Sequence, residues 1–185
     1  MPMKGKLLLL LLIITSWSFR QSADTGKDKG SFSASIDGST FAGDNKLLRG
    51  ILINKEASMD GRSPARTVIS TNFKGPVYTG KDGRPFTESV EFEIGYKDQK
   101  VGASSNYEIV LQYQSTSYYM LKDQSKLNIT QINWDADKKH FWLSATFDCK
   151  MRSMAYPTDG KKDVNLKGTM TDIRITVPSW IAAKN

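Results

Sequence analysis

The sequence contains a single cysteine, Cys149, and a single histidine, His140. One cysteine excludes an intrachain disulfide, and a lone buried thiol is usually inert, so we expect Cys149 to be unreactive. A zinc site would need several acids beside these two residues, and we predict no metal site. A Ser-His-Asp triad would need His140, but no recognisable nucleophile motif accompanies it. We therefore expect His140 on the surface, and we predict no catalytic residue, no cofactor and no enzymatic activity.

Long apolar runs are also missing. Residues 7–14 form an unbroken apolar run of eight residues, whereas a membrane-spanning helix needs about 20. Lys4 and Lys6 precede this run, which is the pattern of a secretory signal peptide. We predict a signal peptide over residues 1–23, cleaved after Ala23, with cleavage after Ser18 as the alternative. No cysteine follows the run directly, which excludes a bacterial lipoprotein anchor. We expect an exported protein, periplasmic or secreted, with no stable membrane anchor after cleavage.

A large excess of positive charge is absent once this leader is set aside. The net charge of the whole sequence is +7. Residues 1–23 contain three basic residues and no acid, so the remainder carries +4. This balance favours solubility and contact with anionic envelope polymers, but it is not the signature of a nucleic-acid-binding protein. We predict no nucleic-acid partner, and the sequence carries no signal of oligomeric state.

No run of ten or more residues has helical spacing, and apolar residues alternate instead. The clearest strand is residues 88–96, where Val90, Phe92, Ile94 and Tyr96 share one face. Further strands are predicted at residues 31–37, 39–41, 47–54, 66–73, 106–114, 117–121, 127–134, 140–149 and 164–177. About eight to ten strands at hairpin spacing predict an all-β fold, an antiparallel β-sandwich over residues 32–185, with a calycin-like β-barrel as the alternative. Residues 24–31 are polar, which predicts a flexible linker.

Turn residues and shifts of phase divide these strands. Asp37-Gly38 predicts a tight turn, because both residues tolerate positive φ. Glycines and prolines within residues 74–87 predict a long loop or a poorly formed hairpin. The apolar alternation slips at residues 130–131 and again at residues 171–172, which predicts a β-bulge at each place. Asp135 and Asp137 are typical of the hairpin turn predicted at residues 135–138, and we prefer that interpretation to a calcium loop.

Short motifs resemble a known group of proteins. Residues 32–41 read Phe-Ser-Ala-Ser-Ile-Asp-Gly-Ser-Thr-Phe, and residues 127–130 read Leu-Asn-Ile-Thr. Residues 143–147 read Leu-Ser-Ala-Thr-Phe, and residues 164–170 read Val-Asn-Leu-Lys-Gly-Thr-Met. These segments resemble the first strand and closing hairpins of small secreted all-β proteins from Bacteroidota, of the domain-of-unknown-function type and related to envelope lipoproteins. The resemblance implies a sandwich-like domain and no known activity. Many members carry a lipoprotein cysteine, which this chain lacks.

Aromatic residues supply the candidate binding site. Trp142 falls on the predicted polar face of its strand, and Trp134 is displaced by the predicted bulge. Tyr118 and Tyr119 are adjacent, so one of them must point outward. Exposed aromatic side chains can stack on a sugar ring or fill a pocket of a partner protein. We predict a non-catalytic binding module for a glycan or an envelope protein, with these four residues as ligand-binding candidates. The alternative is that Trp142 belongs to the core.

Three other functions stay open. A structural or interaction protein of the periplasm, without a small ligand, fits the lack of any reactive constellation. Glu91 and Glu93 lie on one strand face about 7 Å apart, comparable to the roughly 5–9.5 Å between glycosidase carboxylates. That spacing keeps a glycoside hydrolase as an alternative. A barrel with an apolar cavity would instead suit a lipid-like ligand.

Overall fold

A computed structural model describes residues 30–43, 49–56, 65–80, 83–97, 100–101 and 107–182. The predicted signal peptide and most of the predicted linker lie outside these residues. Within them, no helix combines the length and the apolar character that crossing a bilayer would require. The elements are almost entirely strands, which confirms the all-β prediction.

Ten strands and one short helix make up the described part of the chain. In chain order they are β1 (Ser31–Ile36), β2 (Ser39–Phe41), β3 (Arg49–Lys55), β4 (Arg66–Thr79), β5 (Pro85–Lys97), β6 (Lys100–Val101), β7 (Tyr107–Tyr113), β8 (Thr116–Trp134), β9 (His140–Ser153), β10 (Val164–Thr176) and α1 (Ser179–Ala182). The helix follows Pro178, which ends β10 because proline lacks the N–H that the ladder needs.

The strands form a single sheet in the order β2-β1-β10-β3-β4-β5-β7-β8-β9, with β6 on β5. Strand β10 also pairs with β9, so the hydrogen bonding returns on itself and the fold is barrel-like. On its other side β10 pairs with β1 through residues 166–171 and with β3 through residues 174–176. The β10–β3 pairing is parallel, and the other described pairings are antiparallel.

Inward-facing side chains fill the middle of this ring. Phe92 meets Phe32, Phe73 and Phe147 edge-on, with ring centroids 6.1, 5.7 and 5.0 Å away. Phe32 also stacks on Phe73 with centroids 3.9 Å apart. All four rings are buried, and full burial of such a side chain stabilises the fold by about 1.5–3 kcal/mol. The apolar face predicted for residues 88–96 therefore lies in the core.

Both predicted bulges are present. The β8–β9 register shifts between Ile129 and Gln131, and the β10–β9 register shifts between Met170 and Ile173. Asp172, inside the second shift, has a φ of 50°. Each irregularity lets side chains of opposite parity reach the core on its two sides.

The tight turn is confirmed, with φ of 47° at Asp37 and 84° at Gly38. Strands β4 and β5 form a hairpin here rather than a long loop, because β4 continues to Thr79 and pairs with β5 after a register shift between Lys74 and Val77. Pro76 is tolerated there because the β3–β4 pairing ends at residue 71, so the outer edge of β4 is free of a described partner strand. This hairpin forms one end of the ring.

Candidate functional site

Two of the four predicted aromatic residues face the interior. The ring of Trp134 lies 4.6 Å from that of Phe141, centroid to centroid, and packs against the core. Tyr118 is buried among core side chains. Tyr118 therefore has no exposed ring face for a sugar, and Trp134 is only partly exposed.

The other two face outward but lie far apart. Tyr119 is 40% exposed and pairs in register with Arg152 of β9. Trp142 is half-buried on the outer face near the opposite end of β9. Ten residues of strand separate residue 142 from residue 152, which corresponds to roughly 33 Å. Trp142 and Tyr119 therefore cannot contact the same small ligand.

The carboxylate pair Glu91 and Glu93 lies on the outer face of β5. Glu93 forms an ion pair with Lys55, and the Nη2 atom of Arg66 lies 3.7 Å from its Oε2 atom. Arg66 also reaches Glu108, with 3.2 Å between Nη2 and Oε1. Glu93 is therefore one member of a cross-strand charge network, in contact with two cationic side chains.

The hairpin turn after β8 brings Asp135, Asp137 and His140 together, with one ligand atom of each within 4.8 Å of the others. His140 Nδ1 lies 3.0 Å from Asp135 Oδ2. Asp137 accepts a hydrogen bond from the Lys139 backbone N–H at 3.1 Å, and the Lys139 ammonium lies 3.1 Å from its other oxygen. The side chains thus bond within the turn, as Asp residues commonly do there.

A pocket that the sequence analysis did not identify lies at one end of the ring, where the β4–β5 hairpin meets the β7–β8 turn. It has a volume of about 220 Å³. We call it the Glu88 pocket, and its lining residues are Tyr78, Phe86, Glu88, Tyr113, Gln114 and Ser115. Three aromatic residues and one glutamate therefore line a common space.

Glu88 is a carboxyl group on the inward face of β5. It shares the parity of Val90 and Phe92 and is only 5% exposed. The backbone N–H of Gln114 donates a hydrogen bond to its Oε1 atom at 3.3 Å. Burial raises the pKa of Glu88, and the Gln114 bond opposes that rise. No basic side chain of the described residues pairs with it. A buried carboxyl group without a cation is costly, and such groups cluster at functional sites.

The β7–β8 turn on the opposite wall is strained. Gln114 has a φ of 48° and Ser115 a φ of 58°. A two-residue hairpin with positive φ at both central positions normally carries asparagine, aspartate or glycine there. Other residues in this region cost on the order of 1–3 kcal/mol, and such strain is concentrated at ligand sites. The turn and Glu88 are thus two unfavourable features that converge on one pocket.

The rim of the Glu88 pocket is apolar. Tyr78 lies opposite Phe86 in the β4–β5 register. Tyr78 is 50% exposed, and its neighbour Val77 is 64% exposed. At the exposed β7–β8 turn the Gln114 side-chain amide donates a hydrogen bond to the Tyr113 hydroxyl at 3.1 Å. The site therefore combines aromatic residues with a few polar groups, which is the usual composition of a small-molecule site.

A signal for this site exists in the sequence. The face that begins with Val90 includes Glu88 when the alternation is extended by two residues.

Comparison of the chain with protein-family models, with curated proteins and with solved structures gives no match.

Proposed function

We propose that this protein is an exported, non-catalytic binding module of the cell envelope, and that it holds part of a glycan or of an envelope protein in the Glu88 pocket. The observation that carries the proposal is the buried carboxyl group of Glu88 in an aromatic-walled pocket. The apolar run at residues 7–14 and the resemblance to small secreted Bacteroidota proteins support export.

The shape of the interior supports a small ligand group over a lipid chain. The phenylalanine cluster around Phe92 fills the middle of the ring. The Glu88 pocket, at about 220 Å³, is smaller than the roughly 300–1,000 Å³ of sites for drug-sized molecules. It suits a single sugar unit or a side-chain head group.

The surroundings of Glu93 support binding over glycoside hydrolysis. A glycosidase needs one carboxyl group that is protonated near neutral pH. Glu93 is instead engaged in ion pairs with Lys55 and Arg66. Glu88 has a raised pKa, but its partner on the strand would be the outward-facing Glu91, on the other side of the sheet.

Binding of the full chain to a glycan array and to envelope-protein extracts tests the proposal. Tyr78→Ala removes an exposed pocket wall, and Trp142→Ala removes the outer-face aromatic as a matched control. We expect the wild type and Trp142→Ala to bind the same component, and Tyr78→Ala to lose it. Loss in Trp142→Ala with retention in Tyr78→Ala would refute the assignment to this pocket, and an absence of any binding would refute the proposed function.

A further inference from the structure

The Glu88 pocket combines a carboxylate with three aromatic residues. This combination favours a ligand group that carries a positive charge. From this geometry we infer that the group it binds is a cationic amino sugar of an envelope glycan, with its ammonium beside Glu88. The inference rests on the proposed function and adds the chemical class of the ligand.

The first argument is the unpaired charge. A carboxylate offers about four acceptor sites. Within the described part of the chain Glu88 receives one hydrogen bond, from the Gln114 N–H, and that bond is long at 3.3 Å. An ammonium group in the pocket would supply further donors and the opposite charge, and charge-assisted bonds of this kind are about twice as strong as neutral ones.

The second argument concerns the aromatic residues that line the pocket. Tyr78, Phe86 and Tyr113 line the same space as the carboxyl group. The faces of aromatic rings carry partial negative charge and attract cations, the more so where water is excluded. Carboxylate and rings therefore favour the same sign of ligand charge, and both disfavour an anion.

The third argument concerns the polar residues and the exposed aromatic face of the pocket, which favour a sugar ring over a bare amine. The pocket also contains Gln114 and Ser115, whose side chains can exchange hydrogen bonds with hydroxyl groups. Tyr78 is half exposed at the mouth and offers a flat apolar face, and sugar rings stack on such faces. A lysine side chain has no hydroxyl groups with which to bond these two side chains.

A purely structural role for Glu88 is the competing explanation, because its carboxylate caps the strained turn through the Gln114 N–H. Glu88→Gln separates the two roles. The amide oxygen still accepts that hydrogen bond, but the negative charge is gone. Tyr78→Ala is a second variant that leaves the core intact, since Tyr78 is exposed.

The experiment is a titration of the full chain followed by backbone amide NMR, with glucosamine as the probe at a pH that protonates its amine. N-acetylglucosamine and glucose keep the ring without the charge, and lysine keeps an ammonium group without the ring. We expect glucosamine to shift amide signals of residues 86–88 and 113–115. We expect the neutral sugars and lysine to bind at least about tenfold more weakly, and Glu88→Gln to weaken glucosamine binding by about tenfold or more. Thermal denaturation of Glu88→Gln shows that the variant is folded.

Equal glucosamine affinity in Glu88→Gln would overturn the inference. Equal binding of lysine and glucosamine would also overturn it, in favour of a protein side chain as ligand. If a neutral glycan binds the pocket and is lost in Tyr78→Ala, the amino-sugar inference fails while the proposed function stands. If no envelope component or sugar shifts any pocket signal, both fail together.

Discussion

Gly168 lies in β10 where three strands meet, opposite Ala34 of β1 on one side and Phe147 of β9 on the other. A Cβ atom added at this position would lie 2.1 Å from the carbonyl oxygen of Ser33 and 2.6 Å from the Cζ atom of Phe147. It would also lie 2.8 Å from the Cα atom of Ala34. The phenyl ring can shift, but the backbone of β1 cannot rotate away. Gly168→Ala therefore requires β1 and β10 to separate.

The size of the effect follows from these distances. Real Cβ atoms essentially never approach other atoms within 3.0 Å, so the strands must separate by about 0.9 Å at this point. Overpacking costs about 1–3 kcal/mol, and a backbone obstruction belongs at the upper end, about 3 kcal/mol. For a chain of this size that loss lowers the Tm by about 6–12 °C.

Thermal unfolding followed by circular dichroism measures this loss, with Gly38→Ala as the control. No atom lies within 4 Å of the Cβ position at Gly38, but its φ is +84°, so alanine there costs about 1–2 kcal/mol through backbone strain alone. The two variants therefore compare steric obstruction with conformational strain. A Gly168→Ala protein that loses no more Tm than Gly38→Ala would refute the reasoning.

Three further expectations concern ionisable groups. Burial raises the pKa of the Cys149 thiol to about 11, so iodoacetamide at pH 8 should modify it far more slowly in the native protein than in denaturant; equal rates would contradict this. Arg152 holds the pKa of Asp163 below 3.8 through two hydrogen bonds of 2.9 and 2.8 Å. Asp163→Asn should therefore lower the Tm at pH 7 by an amount that shrinks as the pH falls below 3.8, and a constant difference down to pH 2 would be inconsistent with that pairing. The pKa of Glu88 is raised above 4.5, so its ionisation costs stability as the pH rises from 4.5 through its pKa in the folded protein. Glu88→Gln should therefore raise the Tm at pH 7.5 and leave it unchanged at pH 4. A lower Tm at pH 7.5 would show that the charge stabilises the fold.

Local features of the fold followed from side-chain parity. The phase slips at residues 130–131 and 171–172 predicted both bulges, because each slip moves the apolar side chains to the other parity at one point of the chain. Residues 122–124 lack any alternation, and β8 nevertheless continues through them. The register of β8 on β9 shifts between Met120 and Ser125, and the side chains between are largely exposed, so this stretch carries no apolar pattern to detect.

Closure of the ring could not be read from local pattern. The parallel contact of β10 with β3 consists of three residue pairs, from Arg174 with Arg49 to Thr176 with Ile51. Alternation along a strand states which side chains face inward but does not state which strand lies beside it. Which strands pair depends on contacts between segments far apart in sequence, and the alternation of side chains does not indicate those contacts.

The Glu88 pocket was missed for a related reason. Glutamate is usually a surface residue, so the sequence alone does not mark Glu88 as inward-facing, although it has the parity of Val90. The opposite wall depends on a turn 26 residues away. That turn uses Gln114 and Ser115 at positive φ, where sequence signals rely on glycine or asparagine.

The pairing of β1 with β10 also governs how the chain must be completed. Asp37, directly after β1, accepts a hydrogen bond from the backbone N–H of Asn165, 128 residues later. During synthesis β1 can pair with β2, but its other edge stays open until β10 is made, and such non-local contacts make folding slow. A chain that stops before Val164 leaves β1, β3 and β9 with open edges, which are templates for aggregation. Truncated products should therefore be insoluble or rapidly degraded, because β10 is the strand that closes the ring.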